Sequence, residues 1–318
     1  MVLANPIKVS IIGLGGIGMR NEHDTDARQV ICKNHLSAYL KNPNFKLVCC
    51  SDVNQETIDN FQHKYDIPIF SDYKIMLDKY RPEVVILSVN TENLVNIALG
   101  ILEIYTPNLI LIEKPISYKA SEARVLEKRA KDLDVEIFVN YSRRANPDFR
   151  FIRDILIQKY SMDSIYGSAN YSGGFINNAS HIVDLSKYYF GEVQSFRKLS
   201  CRQISDYDYK VSVELNFLKC KFTIVPSILD DITVFNFQIS ARNTTIKYDF
   251  DSKLLVQYNK NILRYSLRQP KFRKFDVEVN QLHTSHEIEN FIKHRQSNLT
   301  SLKEGVDTLE LIESIILS

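Results

Sequence analysis

Up to Asn140 the chain alternates short, nearly continuous apolar runs with stretches of helical periodicity. The runs at residues 8–12, 45–51, 84–89, 109–112 and 137–140 read as strands, and 91–105 and 120–133 carry helical patterns between them. Such alternation predicts a parallel sheet with crossover helices, its strands buried on both faces. Beyond Asn140 the period changes. Val211, Val213, Leu215 and Phe217 alternate with polar residues, as do Phe235, Phe237 and Ile239, and then Ile246, Tyr248 and Phe250. Period-2 alternation without intervening helices predicts an antiparallel or mixed sheet covered on one face. A helix is expected over 179–189, ahead of that sheet. Two more close the chain, each opened by a capping box, Thr284 with Glu287 and Ser301 with Glu304. The expected fold class is α/β: a Rossmann domain at 1–122, then an α+β domain at 123–318 built on a large, open-faced, mostly antiparallel sheet.

Composition narrows the function classes. The 318 residues carry 40 basic and 38 acidic side chains, a balance that gives no field for nucleic acid or an anionic membrane. The N-terminal apolar run lacks a basic flank and leads straight into glycines, so it reads as a first strand rather than a leader. The five cysteines form no CxxC pair and read as reduced thiols of a cytoplasmic protein; no metal is expected.

The strongest local signal is Gly13-Leu14-Gly15-Gly16-Ile17-Gly18, directly after the first strand. Its glycines allow a tight turn and close approach of backbone to a pyrophosphate at a helix N-terminus. Asp52 ends the second strand, where a carboxylate accepts from adenosine ribose hydroxyls and repels a 2′-phosphate. No Arg or Lys follows it immediately, so NAD is expected over NADP. The interval from Gly18 to Asp52 exceeds the usual spacing, the excess lying in a polar, acidic insertion at 20–30.

Further on stand Glu113-Lys114-Pro115 at a strand end and a Gly173-Gly174 segment running through Asn177, Asn178 and His181 to Asp184. With the glycine turn, these motifs resemble the Gfo/Idh/MocA oxidoreductase family, over essentially the whole chain. The resemblance implies a pyridine-nucleotide oxidoreductase moving hydride to or from a hydroxyl-bearing carbon of a sugar, cyclitol or nucleotide-sugar. It maps the family's lysine to Lys114 and its histidine to His181, and implies a homodimer or homotetramer. A cis Lys114–Pro115 bond is expected with it. Ser88, Asn90 and Glu113 are expected beside the cofactor, and Tyr141, Arg143, Arg144, Asn177 and Asn178 beside the substrate. Asn177 stands where the family often has Asp, and Val89-Asn90 and Leu94 replace a Thr-Pro pair and a histidine. These departures leave a second reading, a cofactor-sensing regulatory or scaffold protein of the same fold.

The chemistry is coherent on residue type alone. Oxidising a secondary alcohol needs a base for the hydroxyl proton as hydride leaves. His181 is of the type that titrates near neutrality, and Lys114 can polarise the oxygen. Arg143 and Arg144 suit a carboxylate or phosphate. Asp184, one helical turn after His181, is placed to orient it.

Overall fold

A computed structural model describes residues 5–20, 32–160, 165–228, 234–242, 244–249, 253–258, 271–276 and 280–318. The chain divides into two compact units, one of Met1–Asn146 with Val279–Asp307 and one of Pro147–Glu278 with Thr308–Ser318. This differs from a division at 122/123.

The first unit is built on six parallel strands: β1 (Ile7–Ile12), β2 (Phe45–Ser51), β3 (Ile69–Phe70), β4 (Val84–Leu87), β5 (Leu109–Ile112) and β6 (Glu136–Val139). Helices α1 (His35–Lys41), α2 (Gln55–Lys64), α3 (Tyr73–Tyr80), α4 (Thr91–Ile104) and α5 (Ala120–Asp132) lie between them. The strand order is β6-β5-β4-β1-β2-β3, the doubly wound arrangement whose direction reverses between β1 and β4. Val9, Ile11, Val84, Val85, Ile86, Leu87, Leu109 and Ile110 are all 0% exposed. Neighbouring positions in β4 and β5 are therefore buried alike, as strands covered on both faces require. Each such side chain contributes about 1.5–3 kcal/mol by leaving water. That is why these four-residue runs hold their places in the sheet. Since β6 pairs in register with β5 (Ile112 opposite Val139), the strand stays with this unit and moves the boundary to Asn146.

The second unit begins with α6 (Pro147–Tyr160) and β7 (Ile165–Tyr171), then a short helical turn, Phe175–Ala179, that runs into α7 (Ser180–Phe190). There follow β8 (Val193–Gln203), β9 (Tyr209–Phe217), β10 (Cys220–Pro226), β11 (Phe235–Ala241), β12 (Thr244–Tyr248), β13 (Lys253–Tyr258) and β14 (Lys271–Asp276). They form one sheet in the order β14-β13-β12-β11-β7-β10-β9-β8. The β7–β10 pair is parallel and every other pair antiparallel. Along β9, Val211, Val213 and Leu215 are 0% exposed while their neighbours are half-buried, the one-sided burial that the alternation implies. Phe250 of that pattern lies outside the described residues.

The chain then returns to the first unit through α8 (Gln281–His294) and β15 (Thr300–Ser301), which adds antiparallel to β6. The last helix, α9 (Leu302–Leu317), starts in the first unit and ends in the second. Ser301 and Glu304 form the expected capping box: the Glu304 N–H donates to Ser301 Oγ at 3.3 Å, and the Ser301 N–H to Glu304 Oε2 at 2.9 Å. The pair Thr284 and Glu287 does not cap. Helix α8 starts a turn earlier, where Asn280 accepts from the Leu282 N–H at 3.0 Å. Glu287 instead takes the Asn298 N–H at 2.7 Å.

Candidate functional site

The reversal of strand order leaves a crevice at the C-terminal ends of β1 and β4, where open α/β sheets bind ligands. A cleft of about 580 Å³ opens there, lined among others by Gly13, Gly15, Asp52, Ser88, Val89 and Asn90. Its size is ordinary for a small-molecule site.

Three glycines shape the turn beside it for different reasons. Gly13 turns the chain with a φ of +89°, and a β-carbon there would stand 2.6 Å from the Ser88 carbonyl oxygen. At Gly18 a β-carbon would overlap the Gly13 carbonyl, so this glycine is imposed by the fold itself. At Gly15 a β-carbon would meet nothing within 4 Å. Among the described residues nothing gives a steric reason for that glycine, whereas a pyrophosphate lying against the backbone would. Gly16 and Ile17 open a five-residue π-helical turn, Gly16–Arg20, whose N-terminus supplies the partial positive charge an anion requires. Most of the acidic insertion at 20–30 lies outside the described residues.

Asp52 is positioned by its own backbone contacts. Oδ2 accepts the Leu14 N–H at 2.6 Å and Oδ1 the Asn54 N–H at 2.8 Å. Each oxygen keeps a second lone pair, so the half-buried carboxylate can still accept two ribose hydroxyls. Ser88 braces the turn from the neighbouring strand, its hydroxyl donating to the Gly13 carbonyl at 2.7 Å. Asn90 is exposed at the cleft and precedes α4 without capping it. Leu94, one turn on, is 1% exposed and belongs to the core.

At the end of β5, Glu113 is held by two side chains that motif reading overlooks. His35 Nε2 stands 2.7 Å from Glu113 Oε1, and the Asn140 amide donates to the same oxygen at 2.6 Å. Burial pushes the Glu113 carboxyl up, yet His35, Asn140 and the charge of neighbouring Lys114 outweigh it and hold it below the usual carboxylate range. An ionised carboxylate only accepts, so Nε2 of His35 carries the proton. Asn140 is itself fixed by α8, donating to Gln281 at 3.1 Å and accepting from Thr284 at 3.3 Å. Lys114 follows, half-buried, and its bond to Pro115 is cis as expected.

Of the polar segment after β6, Tyr141 is buried and Arg143 half-buried. Arg144 is engaged within the fold. Its side chain is 4% exposed and pairs with Glu304 at 2.9 Å, tying the segment to the first turn of α9. The substrate contact expected of Arg144 thus meets a guanidinium already engaged by a carboxylate.

In the second unit the expected residues fall on one helical stretch. Asn177 and Asn178 sit in the turn Phe175–Ala179, and His181 and Asp184 in the first turn and a half of α7. Asn178 is used locally, its amide donating to the Ser172 carbonyl at 2.8 Å. His181 is half-buried and Asp184 is 1% exposed. The turn rests on Asp208, which sequence reading missed because a Ser-Asp-Tyr-Asp stretch looks like a solvated loop. Its carboxylate accepts the N–H groups of Ile176 at 2.8 Å and Asn177 at 3.1 Å. Among the described residues no His, Cys, Asp and Glu cluster suits a metal ion, and no helix is long and apolar enough to cross a membrane.

Residues 7–141 match the model of an oxidoreductase family with an NAD-binding Rossmann fold, Gfo/Idh/MocA. No curated protein matches the sequence. Solved structures follow nearly the whole chain. A dehydrogenase from Chromobacterium violaceum superimposes with a TM-score of 0.79 at 15% identity, covering 98% of this chain and 94% of its own. A putative NADPH-dependent oxidoreductase from Desulfitobacterium hafniense gives 0.78 at 16%, covering 99% and 96%. A super-repressor mutant of Gal80p from Saccharomyces cerevisiae gives 0.75 at 14%, covering 98% and 95%. At such identities the likeness speaks of fold. Family and cleft agree on the ligand: the open backbone at Gly15, the helical turn behind it and the spare acceptors of Asp52 fit a dinucleotide. Residues 7–141 thus match the NAD-binding Rossmann fold of the Gfo/Idh/MocA oxidoreductase family.

Proposed function

We propose that the protein is an NAD-dependent oxidoreductase acting on a hydroxyl-bearing carbon, or the matching carbonyl, of a sugar, cyclitol or nucleotide-sugar. The cleft supports the cofactor half of this reading, above all Gly15, a glycine for which the described residues give no steric reason and a bound pyrophosphate does. NAD rather than NADP follows from Asp52, whose carboxylate would meet a 2′-phosphate charge to charge. Bound NAD supplies the hydride acceptor, and NADH the donor in the reverse direction.

The chain's own groups handle the rest. Glu113, kept anionic by His35 and Asn140, stands beside Lys114 and favours its ammonium form. Lys114 then acts as a donor to the substrate oxygen and stabilises negative charge growing there. His181 is the proton acceptor, since Asn177 has no basic oxygen for the task. Tyr141, Arg143, Asn177 and Asn178 are proposed to shape the substrate's surroundings, and Ser88, Asn90 and Glu113 the cofactor's.

The test uses His181→Ala and Lys114→Met in the full chain, assayed on a panel of polyols, cyclitols and nucleotide-sugars. Both variants should lower turnover by ~10²–10⁴, the range a lost acid–base group removes. NAD affinity should stay within a few-fold, and NAD should bind more tightly than NADP. Unchanged turnover in either variant, or tighter NADP binding, would refute the corresponding assignment. The Gal80p likeness marks the rival, a protein that binds the cofactor and does no chemistry; wild-type inactivity across the panel with NAD bound is its signature.

A further inference from the structure

Resting on that reading, we propose that Asp208 is a positioning residue for the reaction: it fixes the turn Phe175–Ala179, which carries Asn177 and delivers the chain into His181. Asp208 is 4% exposed, and three backbone N–H groups meet its carboxylate. Oδ1 accepts from Ile176 and Tyr209, each at 2.8 Å, and Oδ2 from Asn177 at 3.1 Å. A carboxylate taken out of water must be repaid in hydrogen bonds, and the first N–H groups of a helical turn have no partner within the turn. Each therefore satisfies the other.

The side chain is aimed by the hairpin between β8 and β9. The Asp208 carbonyl accepts the N–H groups of Ile204 at 2.9 Å and Ser205 at 3.2 Å, closing the hairpin tip beneath it. On the far side, a β-carbon at Gly174 would overlap the carboxylate, so the backbone entering the turn lies flush against Asp208. The turn then winds about the Gly174 carbonyl, which accepts from Asn178 at 2.8 Å and Ala179 at 3.2 Å. Phe175, Ile176 and Ala179 bury the turn in the core, and the carboxylate pins its first N–H groups. Asn177 and His181 are four residues apart and share a helix face, so releasing the turn displaces both at once.

Two variants of the full chain test this, Asp208→Asn and Gly174→Ala. The first replaces one acceptor oxygen by an amide that faces an N–H; the second keeps the charge and pushes it off the turn. Hydrogen exchange at Ile176 and Asn177 should speed up at least tenfold in both, while amides at the end of α7 keep their protection. Turnover should fall at least tenfold with NAD affinity within twofold. The double variant should be no worse than the more impaired single one, the non-additivity of two changes acting through one contact. Wild-type exchange at Ile176 and Asn177, turnover within twofold of wild type, or a parallel loss of NAD affinity would each overturn the proposal. If the wild-type protein oxidises nothing on the panel, the oxidoreductase reading fails, and the exchange rates still decide whether Asp208 holds the turn.

Discussion

Asp52 is held by backbone groups of its own cleft, whereas Glu113 is held by His35 from 78 positions away. Gly13, Gly15, Gly18 and Asp52 announce themselves because a strand, a tight turn and a helical N-terminus follow one another directly. Arg144 reads as an anion ligand in isolation, but its carboxylate, Glu304, lies 160 positions away. His35 was hidden too, since only the fold brings it to Glu113, 78 positions on. The glycines give a prediction that separates ligand from fold. Gly15→Ala should change stability by no more than about 0.5 kcal/mol, the usual range for an unconstrained site, yet weaken NAD at least tenfold. Gly18→Ala should cost about 1–3 kcal/mol by overpacking against the Gly13 carbonyl. Calorimetric titration and denaturant unfolding of the two variants check this, and equal NAD affinity in Gly15→Ala would remove the pyrophosphate from that backbone.

At the scale of elements, a long buried run carries a period that a short or capped piece lacks. The run at 45–51 is the observed β2, and that at 84–89 shortens to Val84–Leu87, because the chain leaves the sheet where it meets the cleft. The two-residue strands β3 and β15 are too short for any period to appear. Thr284 and Glu287 have the spacing of a capping box but lie inside α8, where Thr284 bonds Asn140 instead. That contact belongs to the set fixing Glu113 at the end of β5, and it carries a pH dependence. The Glu113 carboxyl is held below its ordinary value, so its contribution is fully present above the unfolded-state pKa of about 4.3 and fades as pH falls towards the folded value. Glu113→Gln should lower stability at neutral pH by about 1–3 kcal/mol, a buried hydrogen bond's worth. The gap from wild type should narrow below about pH 4. A gap that stays constant down to low pH would mean that the charge of Glu113 contributes nothing.

Across the whole molecule, the change of period near Asn140 located the change of architecture. Its connectivity was not visible there, because β7 enters the middle of the second sheet, beside strands far along the chain. Nor could periodicity show that 279–307 returns to the first unit. On the second sheet's face opposite its core, Ser168, Asn170 and Gln238 are exposed together with Tyr166. The family resemblance implies a homodimer or homotetramer; light scattering at micromolar concentration checks this, and a monomer would exclude it. Hydride transfer is read directly by isotope labelling. Incubated with NAD and a panel of polyols, cyclitols and nucleotide-sugars deuterated at their carbinol carbons, the protein should yield NADH carrying deuterium at C4 of the nicotinamide. NAD that binds the cleft and is recovered unreduced, without deuterium, would contradict the account.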